Sequence, residues 1–587
     1  MMSLKRIYVL GLCLVFSAPV FSQSKDIQLP ANWYNLDLVK DGYFGISTEK
    51  AYKELLINKK PKQKIIVAVI DGGIDINHED LKDILWVNKG EIAGNGIDDD
   101  QNGYIDDING WNFIGSKNGN LAYDNLEMTR IRRVYLPKYA STTNLTVLDS
   151  VQKEEFALYK RVTKEFGEKY NNAHASFGFI STINKVLDSV ALINHKKIPS
   201  LEDIDKYVAD SEEEEQIKKI IRGGAKDSGG IEKFFKEMKD AYKQYDVMLK
   251  YNLNLEYDPR KELVGDDYEN AREHNYGNSD VSGPNADHGS HVSGIIAANR
   301  TNNIGIMGVA NSVIIMAIRV VPEGDERDKD VANGIRYAVD NGARIINMSF
   351  GKGFKWNKEV VDEAVKYAEE KGVLLVHAAG NDNLSIDLEE NYPNKYFDSP
   401  EAIAYKKIHK KAQIKIPFTP TQNQMQNQSI SRGSGNGIIK PDPIDTAMFK
   451  LPHANNWIEV GASAYADDGS LKASFSNYGK YMVDVFAPGF LINSTVPGSK
   501  YDVFDGTSMA APVVSGLAAM ILSYFPDLKP YQVREIIMKS VAKVDHKVKY
   551  KNDKDENLRI SFSDLCLSGG IVNAYNAIKL AESYVSK

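Results

Sequence analysis

The sequence predicts an α/β fold with a doubly wound, mostly parallel sheet, helices on both faces and a helical insertion. Three observations predict it. The run from Ile65 to Ile70 contains only apolar residues, which is typical of a parallel strand buried on both faces. Further apolar runs alternate with amphipathic helical patterns, which favours strand–helix–strand units. A charged, helix-rich stretch at about 116–275 interrupts this alternation.

The regular elements are expected in a simple order along the chain. We expect strands at 65–70, 313–321, 343–351 and 373–378, helices at 329–341 and 358–371, and strand and turn over 457–489 before a helix that begins near Ser508. The 587 residues suit one large α/β domain with insertions, or two to three ordinary domains.

The stretch 116–275 is expected to be helical with a minor core of its own. Two sets of apolar residues recur at helical spacing: Ile180, Ile183, Leu187 and Val190, and Phe234, Met238, Tyr242, Tyr245 and Leu249. Ser200 and Asp203 have the spacing of a helix N-cap pair. A second insertion is expected at 398–453, with a flexible middle at 419–437 that is rich in Gln, Asn, Ser and Gly.

The N-terminus predicts export. Lys5 and Arg6 precede a short apolar run at 7–16, and small residues suitable for cleavage stand before Gln23, as in a signal peptide over 1–22. A buried N-terminal element and a lipoprotein at Cys13 are the alternatives. We expect a periplasmic or secreted protein. Cys566 would then be the sole cysteine of the mature chain, so no intrachain disulfide could form.

The composition is that of a globular protein. The chain is 43% hydrophobic and 26% charged, with a net charge of −7, which gives no reason to expect nucleic acid as a partner. We expect no transmembrane segment in the mature chain, because no further apolar run approaches about 20 residues. We also expect a monomer, protein or peptide substrates, and no organic cofactor.

Three short motifs carry candidate chemistry. The first strand ends in Asp71-Gly-Gly, where open α/β sheets place their active sites. His288 lies in the motif DHGSHVSG, and Ser508 opens a helix in GTSMAAP, where a helix N-terminus favours developing negative charge. Each residue alone could be a turn or cap residue. His288 and His291 could also suggest a metal pair, but no third ligand of matching spacing accompanies them.

Taken together, in the order Asp, His, Ser, these motifs resemble those of the subtilisin-like serine peptidases, the subtilase or S8 family. The resemblance implies a serine endopeptidase that works through an acyl-enzyme with the triad Asp71, His288 and Ser508. It covers about 62–115, 276–395 and 455–582. Two small departures, Ser290 and Ser293 in place of the usual threonine and alanine, leave the triad intact.

The resemblance also implies a substrate cleft. The motif AAGN makes Asn381 the side-chain donor of the oxyanion hole, and Tyr392-Pro393 matches a position where the family carries a cis proline. We expect no deep charge in the specificity pocket. Its expected lining residues are Ser349, Phe350, Gly351, Ala378, Ala379, Gly380 and Asn391.

Structural calcium is expected at two sites. The loop DDDQNGYID places hard oxygen ligands at Asp98, Asp100, Asn102 and Asp106, although the glutamate that closes an EF-hand loop is absent and an acidic turn is the alternative. The resemblance implies a second site. Its ligands would be Asp80, Asn302 and the carbonyls of Ile304 and Ile306.

The expected organisation has seven parts. They are a signal peptide at 1–22, an N-terminal arm at 23–61, peptidase segments at 62–115, 276–397 and 454–587, the helical insertion at 116–275 and the second insertion at 398–453. The arm is too short for the family's usual pro-domain, and we expect 33–56 to pack on the catalytic domain. The helical insertion could gate the cleft or be a remote decoration.

Two other classes of function fit the same residues. The chain could be an exported scaffold that keeps the fold without turnover, or an esterase or peptide ligase that uses the same triad. Turnover of a protein substrate would separate the first alternative from a protease.

Overall fold

A computed structural model describes residues 28–387, 389–402, 451–551 and 557–585. The predicted signal peptide and most of the second insertion lie outside these residues. The strands are β1 Ile65–Asp71, β2 Gly110–Asn112, β3 Gly115–Ser116, β4 Gly119–Asn120, β5 Val313–Arg319, β6 Ile345–Met348, β7 Leu374–Ala378, β8 Trp457–Ser463, β9 Val485–Pro488, β10 Ile492–Val496, β11 Lys500–Phe504, β12 Ala542–Lys543, β13 Lys547–Lys551, β14 Asn557–Ser561 and β15 Gly570–Ile571.

Nine of these strands form one sheet in the order β12-β15-β9-β8-β7-β6-β1-β5-β2. The neighbouring strands are parallel except for β12 and β15. Strand β1 lies between β5 and β6. After β1 the chain forms β2 and β5 on one side of it, and then β6 and β7 on the other side. Asp71 ends β1 at this switch point, where open parallel sheets form their active-site crevice.

Helices cover both faces of the sheet. The described α-helices of the chain are α1 Leu38–Asp41, α2 Thr48–Lys50, α3 Glu127–Tyr139, α4 Ser150–Ile193, α5 Leu201–Lys206, α6 Glu212–Asp227, α7 Ile231–Val247, α8 Arg260–Leu263, α9 Asp287–Ala297, α10 Asp328–Asp340, α11 Lys358–Glu370, α12 Thr507–Tyr524, α13 Pro530–Lys539 and α14 Ala574–Val585. Alternate residues of β1 enter two cores: Val67 and Val69 pack with α9 and α12, whereas Ala68 and Ile70 pack with α10 and α11. The doubly wound α/β prediction is confirmed.

The N-terminal arm belongs to the main core. Trp33, Tyr34 and Ile46 are buried in the same cluster as β1 and α12. The Trp33 indole donates to the carbonyl of Leu491 at 3.0 Å, and the Ala574 amide donates to the Ile46 carbonyl at 2.7 Å. The arm therefore packs on the catalytic domain, as expected.

The insertion consists of helices α3 to α8 with small cores of its own. The 44-residue α4 buries Ile183, Leu187 and Val190 against α6 and α7. Ser200 and Asp203 form a reciprocal capping box at the start of α5. Tyr242 departs from the expectation, because its side chain is 39% exposed and packs by its ring on Phe177.

Some elements differ from the sequence prediction. The strand expected at 343–351 is only Ile345–Met348, because the next residues leave the sheet to line a cleft. The short edge strand β2 and the hairpin of β10 and β11 were not predicted. Cys566 is a free, buried thiol.

Two described helices, α4 and α12, are long and apolar enough to cross a membrane by length and composition alone. The expectation of no transmembrane segment in the mature chain stays a prediction, because a buried core helix passes the same test of length and composition. In α12 the apolar window is 94% buried, and in α4 it is 39% buried.

Candidate active site

Asp71 and His288 meet at the switch point of the sheet. The Nδ1 atom of His288 lies 2.9 and 3.0 Å from the two carboxylate oxygens of Asp71. The Asp71 side chain is 4% exposed and that of His288 is 42% exposed. The carboxylate therefore binds the Nδ1 edge of the imidazole, while part of the ring remains exposed.

The environment of His288 raises its pKa. Burial alone would lower the pKa, but the Asp71 carboxylate outweighs it, through its charge and its hydrogen bond to the ring. The imidazolium form is therefore stabilised, as a base that must hold a proton transiently requires.

Ser508 is the second residue of α12 and is hydrogen-bonded to Ser349. Its hydroxyl donates to the Ser349 carbonyl at 3.0 Å, and the Ser349 hydroxyl donates to the Ser508 carbonyl at 2.9 Å. No hydrogen bond joins Ser508 to His288 in the part of the chain that the structure describes. In this conformation the hydroxyl of the candidate nucleophile is bonded to the Ser349 carbonyl and not to His288. Hydrogen bonds between catalytic residues are often longer before substrate binds than in the reacting complex.

Asn381 is oriented by Thr507. Its Oδ1 accepts hydrogen bonds from the Thr507 amide at 2.8 Å and from the Thr507 hydroxyl at 3.0 Å, which leaves Nδ2 to face the cleft. A Cβ atom added at Gly506 would lie 3.5 Å from the Ser508 amide nitrogen and 3.6 Å from Asn381 Nδ2. The two donors therefore border the same small space.

A cavity of about 370 Å³ opens beside Ser508. The predicted cleft residues that line it are Ser349, Phe350, Gly351, Ala378, Gly380, Asn381 and Asn391. Ala379 does not line it; this residue is fully buried, and its carbonyl accepts hydrogen bonds from Asn391 and Asn477. The Tyr392–Pro393 peptide bond is cis.

The expectation of a pocket without deep charge is wrong. Glu326, Lys352, Asp382, Glu389 and Glu390 also line the cavity. The sequence signal for the Glu326 charge was the charged run at 325–328, which ends in the first residue of α10. The contacts that bury Glu326 come from distant parts of the chain, so the run alone did not reveal it.

The helical insertion reaches the cleft at two places. Arg161 of α4 donates to Glu390 at the rim of the first cavity at 2.7 Å. A second cavity of about 910 Å³ lies between α7 and the segment that precedes His288. Its walls include Lys243 and Val247 from the insertion, and Ala286 and Asp287 beside the histidine.

His291, the possible partner of His288 in a metal pair, has a different environment. Its Nε2 lies 3.0 and 3.1 Å from the carbonyls of Ile492 and Asp502, and its ring stacks on Phe504. Burial, with the nearby His288 charge, lowers its pKa to about 3. These contacts fit a neutral histidine that ties α9 to the β10–β11 hairpin.

The acidic loop at 98–106 is held by its own backbone. Asp106 accepts hydrogen bonds from the amides of Gly94, Asn95 and Gly96, and Asp98 accepts them from Asn102 and Gly103. Among the described residues, Glu91, Asp100 and Asp107 instead offer carboxylate oxygens within 4.8 Å of one another. The Asn102 amide donates to Asp107 at 3.1 Å. Hard oxygen donors of this kind fit calcium, although the set differs from the predicted one.

The second predicted calcium group is partly assembled. The Asn302 amide donates to the buried Asp80 carboxylate at 2.6 Å, and the Tyr501 hydroxyl approaches its other oxygen at 3.3 Å. Ile306 is buried and Ile304 is 41% exposed. The structure brings Asp80 and Asn302 together beside the loop that carries both carbonyls.

Comparison with known proteins gives relatives of one kind. The chain is 31% identical over 292 residues to a thermophilic serine proteinase of Bacillus sp. (strain AK1), which covers 50% of this chain and 52% of that protein. It is 33% identical over 252 residues to a subtilisin of Bacillus pumilus, covering 42% of this chain and 67% of the relative. It spans about half the length of several other curated relatives, among them subtilisin E of Bacillus subtilis (strain 168).

The family model and a solved structure complete the comparison. A protease structure from Pseudoalteromonas arctica is similar with a TM-score of 0.35 and 23% identity, over 52% of this chain and 78% of that one. The model of the subtilase family, Peptidase S8, matches residues 62–560. This match includes Asp71, His288, Asn381 and Ser508, and by it the chain belongs to the subtilase family.

Proposed function

We propose that the chain is a serine endopeptidase that hydrolyses peptide bonds through an acyl-enzyme. The observation that carries the proposal is the pair of contacts, 2.9 and 3.0 Å, between His288 Nδ1 and the Asp71 carboxylate. This pair lies at the switch point of a subtilase sheet, and Ser508 and Asn381 line the cavity of about 370 Å³.

The residues have distinct roles in this proposal. The Ser508 hydroxyl turns from the Ser349 carbonyl towards His288, loses its proton to Nε2 and attacks the substrate carbonyl carbon. The Oγ–C bond forms, the C–N bond breaks, and His288 returns the proton to the leaving amine. Water, deprotonated by His288, then releases the acid and restores Ser508. Asp71 fixes the tautomer and stabilises the imidazolium.

The oxyanion is expected to bind at the space in front of Gly506. The Ser508 amide and Asn381 Nδ2 border it, and Thr507 holds the Asn381 side chain so that its nitrogen is the free donor. A preorganised donor of this kind typically contributes about 3 to 4 kcal/mol of transition-state stabilisation.

Turnover of casein by the purified mature protein tests the proposal. A serine-directed phosphonate or sulfonyl fluoride should block it, and the products should be internal peptides rather than single residues. A protein that binds casein but releases no peptides would be a scaffold, contrary to the proposal.

We further propose that the enzyme is exported, as the N-terminal pattern indicates, and that it acts as a monomer on protein or peptide chains. Calcium is proposed as its structural cation, with no organic cofactor. Glu91, Asp100 and Asp107 would hold one ion through hard carboxylate oxygens. The loop around Asp80 would hold the second ion. Both ions would stabilise the fold and would take no part in peptide hydrolysis.

The insertion is proposed to gate access to the cleft. Support comes from its contacts at both cavities: Arg161 with Glu390 on one side, and α7 against the segment before His288 on the other. A lobe in this position would admit extended peptides more readily than folded proteins.

A further inference from the structure

A cluster of buried charges lies between the insertion and the substrate cleft. Three cations, Arg130, Arg327 and Lys352, are surrounded by five carboxyl groups. These are Asp124, Glu127, Asp325, Glu326 and Asp328. Each cation already forms ion pairs. Arg327 pairs with Asp124, and Arg130 pairs with Asp124 and Glu127. Lys352 pairs with Glu127 and Asp328. The cluster therefore has two more carboxyl groups than cations.

Glu326 is the member of this cluster that has a carboxylate oxygen, Oε1, without a hydrogen-bond partner. The residue is 2% exposed, and its buried Oε1 has no hydrogen-bond partner. Its backbone carbonyl, by contrast, accepts hydrogen bonds from Lys352 at 2.8 Å and from Arg130 at 3.2 Å. A buried carboxylate oxygen without a partner is costly, so a cationic donor that reaches Oε1 would bind there favourably.

Glu326 also lines the cavity that opens beside Ser508. Four carboxylates and one lysine line this cavity: Glu326, Asp382, Glu389, Glu390 and Lys352. Lys352 is shared among several groups, because it already binds Glu127, Asp328 and the Glu326 carbonyl. The second cavity also has more acidic than basic residues in its lining. The acidic ones are Asp75, Asp240, Asp287 and Glu323, and the basic one is Lys243.

We propose that the cavity beside Ser508 binds a cationic side chain of the peptide substrate, lysine or arginine, and that Glu326 is the carboxylate that pairs with it. The inference rests on the proposed endopeptidase function and specifies its substrate class. The cation would supply the missing partner of Oε1 and cancel part of the excess negative charge. A guanidinium group suits this position best, because its fork of donors can reach a buried carboxylate and neighbouring oxygens together.

The titration of Glu326 agrees with this assignment. Burial raises its pKa to about 7, and the nearby Asp325 adds to the rise against the attraction of Lys352. A bound arginine side chain would favour the ionised form of Glu326.

The first experiment compares arginine with citrulline, its uncharged isostere. Internally quenched peptides carry one or the other at each position flanking the cleavage site, and kcat/KM is measured on the wild-type enzyme. At one position or more, arginine should be preferred by about tenfold or more, the effect of about 1.4 kcal/mol. A ratio near one at every position would overturn the proposal.

The second experiment assigns the preference to Glu326. Glu326→Gln should reduce the arginine-to-citrulline ratio of kcat/KM at least fivefold (about 1 kcal/mol). Glu389→Gln is the matched control, because it removes an exposed charge from the same cavity and should keep the ratio within about twofold. Equal ratios in the wild type and Glu326→Gln would overturn the assignment, as would equal losses in both variants. If Glu326→Gln does not fold, Glu326→Asp replaces it, and an unchanged ratio there counts against Glu326.

The two proposals can fail separately. Cleavage of the citrulline peptide with no preference for arginine leaves the endopeptidase function intact and removes this inference. Absence of cleavage of every peptide, together with no labelling by a fluorophosphonate probe, removes both.

Discussion

Glu127 and Lys352 form a buried ion pair across 225 residues of sequence, with 2.7 Å between Oε2 and Nζ. Glu127 begins the first helix of the insertion, and Lys352 directly follows residues 349–351, which line the cavity beside Ser508. Both side chains are 1% exposed. The insertion is therefore built into the floor of the cleft and is not a remote decoration.

Glu127→Gln should destabilise the whole protein. The substitution leaves Lys352 and Arg130 buried with fewer partners, and breaking a buried pair in this way costs about 3 kcal/mol or more. Urea unfolding followed by circular dichroism measures the loss. Glu202→Gln is the control, because Glu202 pairs with Lys206 on the surface and should cost less than about 1 kcal/mol. Equal losses in the two variants would contradict a structural role for the buried pair.

The long-range nature of this contact explains what the sequence could and could not predict. The unbroken apolar run from Ile65 to Ile70 is local, and it correctly indicated a strand covered on both faces. The motifs around Asp71, His288 and Ser508 were equally local. The position of Glu326 depends on Arg130 and Lys352, which no periodicity connects to it, so the charge of the pocket was missed.

The edge of the sheet shows the same limit. Strand β2 has only three residues, Gly-Trp-Asn, and its intrinsic preference for extended structure is weak. The strand forms because it pairs with β5. Position 110 lies so close to the Ala317 backbone that a Cβ atom there would be 1.8 Å from the Ala317 carbonyl oxygen, so the pairing requires a glycine. Only the folded sheet supplies that constraint.

The pH dependence of activity should follow the raised pKa of His288. The protonated imidazole cannot accept the Ser508 proton, so a higher pKa extends the inactive form to higher pH. The acid limb of kcat/KM should therefore have its midpoint above the ordinary histidine value of 6.5. Steady-state rates on an uncharged peptide between pH 5 and 9, in steps of about 0.5, give this midpoint.

Asp71→Asn provides the matched variant for this profile. It removes the charge that raises the His288 pKa, so the midpoint should move to lower pH, and kcat should fall about 10⁴-fold because the tautomer is no longer fixed. A wild-type midpoint below 6.5, or one that the substitution leaves in place, would show that Asp71 does not control the histidine.

Trimming the insertion should change selectivity more than catalysis. The rings of Phe177 and Tyr242 are 5.0 Å apart, so a short Gly/Ser linker can replace residues 178–241 while Glu127 and Arg130 stay in place. If the removed lobe gates the cleft, cleavage of a folded protein should rise relative to cleavage of a small chromogenic peptide. An unchanged ratio in a soluble, folded variant would show that this lobe is not a gate.

Calcium removal should lower the melting temperature by several degrees. A metal that binds only the native state stabilises it by mass action, and calcium rather than magnesium suits a flexible set of carboxylate and amide oxygens. Differential scanning calorimetry with EDTA, then with each metal added back, measures the effect. Asp100→Asn and Asp80→Asn separate the two sites. A melt unaffected by chelation, with no calcium in elemental analysis, would rule out both.

The most direct test of the central claim is the labelling of Ser508 by a fluorophosphonate probe. The wild-type protein should acquire one phosphonyl group, located on Ser508 by peptide mass spectrometry, and should lose its casein turnover in proportion. Ser508→Ala should show neither labelling nor turnover and should keep the circular dichroism spectrum of the wild type. Labelling of a different residue, or turnover that persists in Ser508→Ala, would contradict the proposed nucleophile and the mechanism built on it.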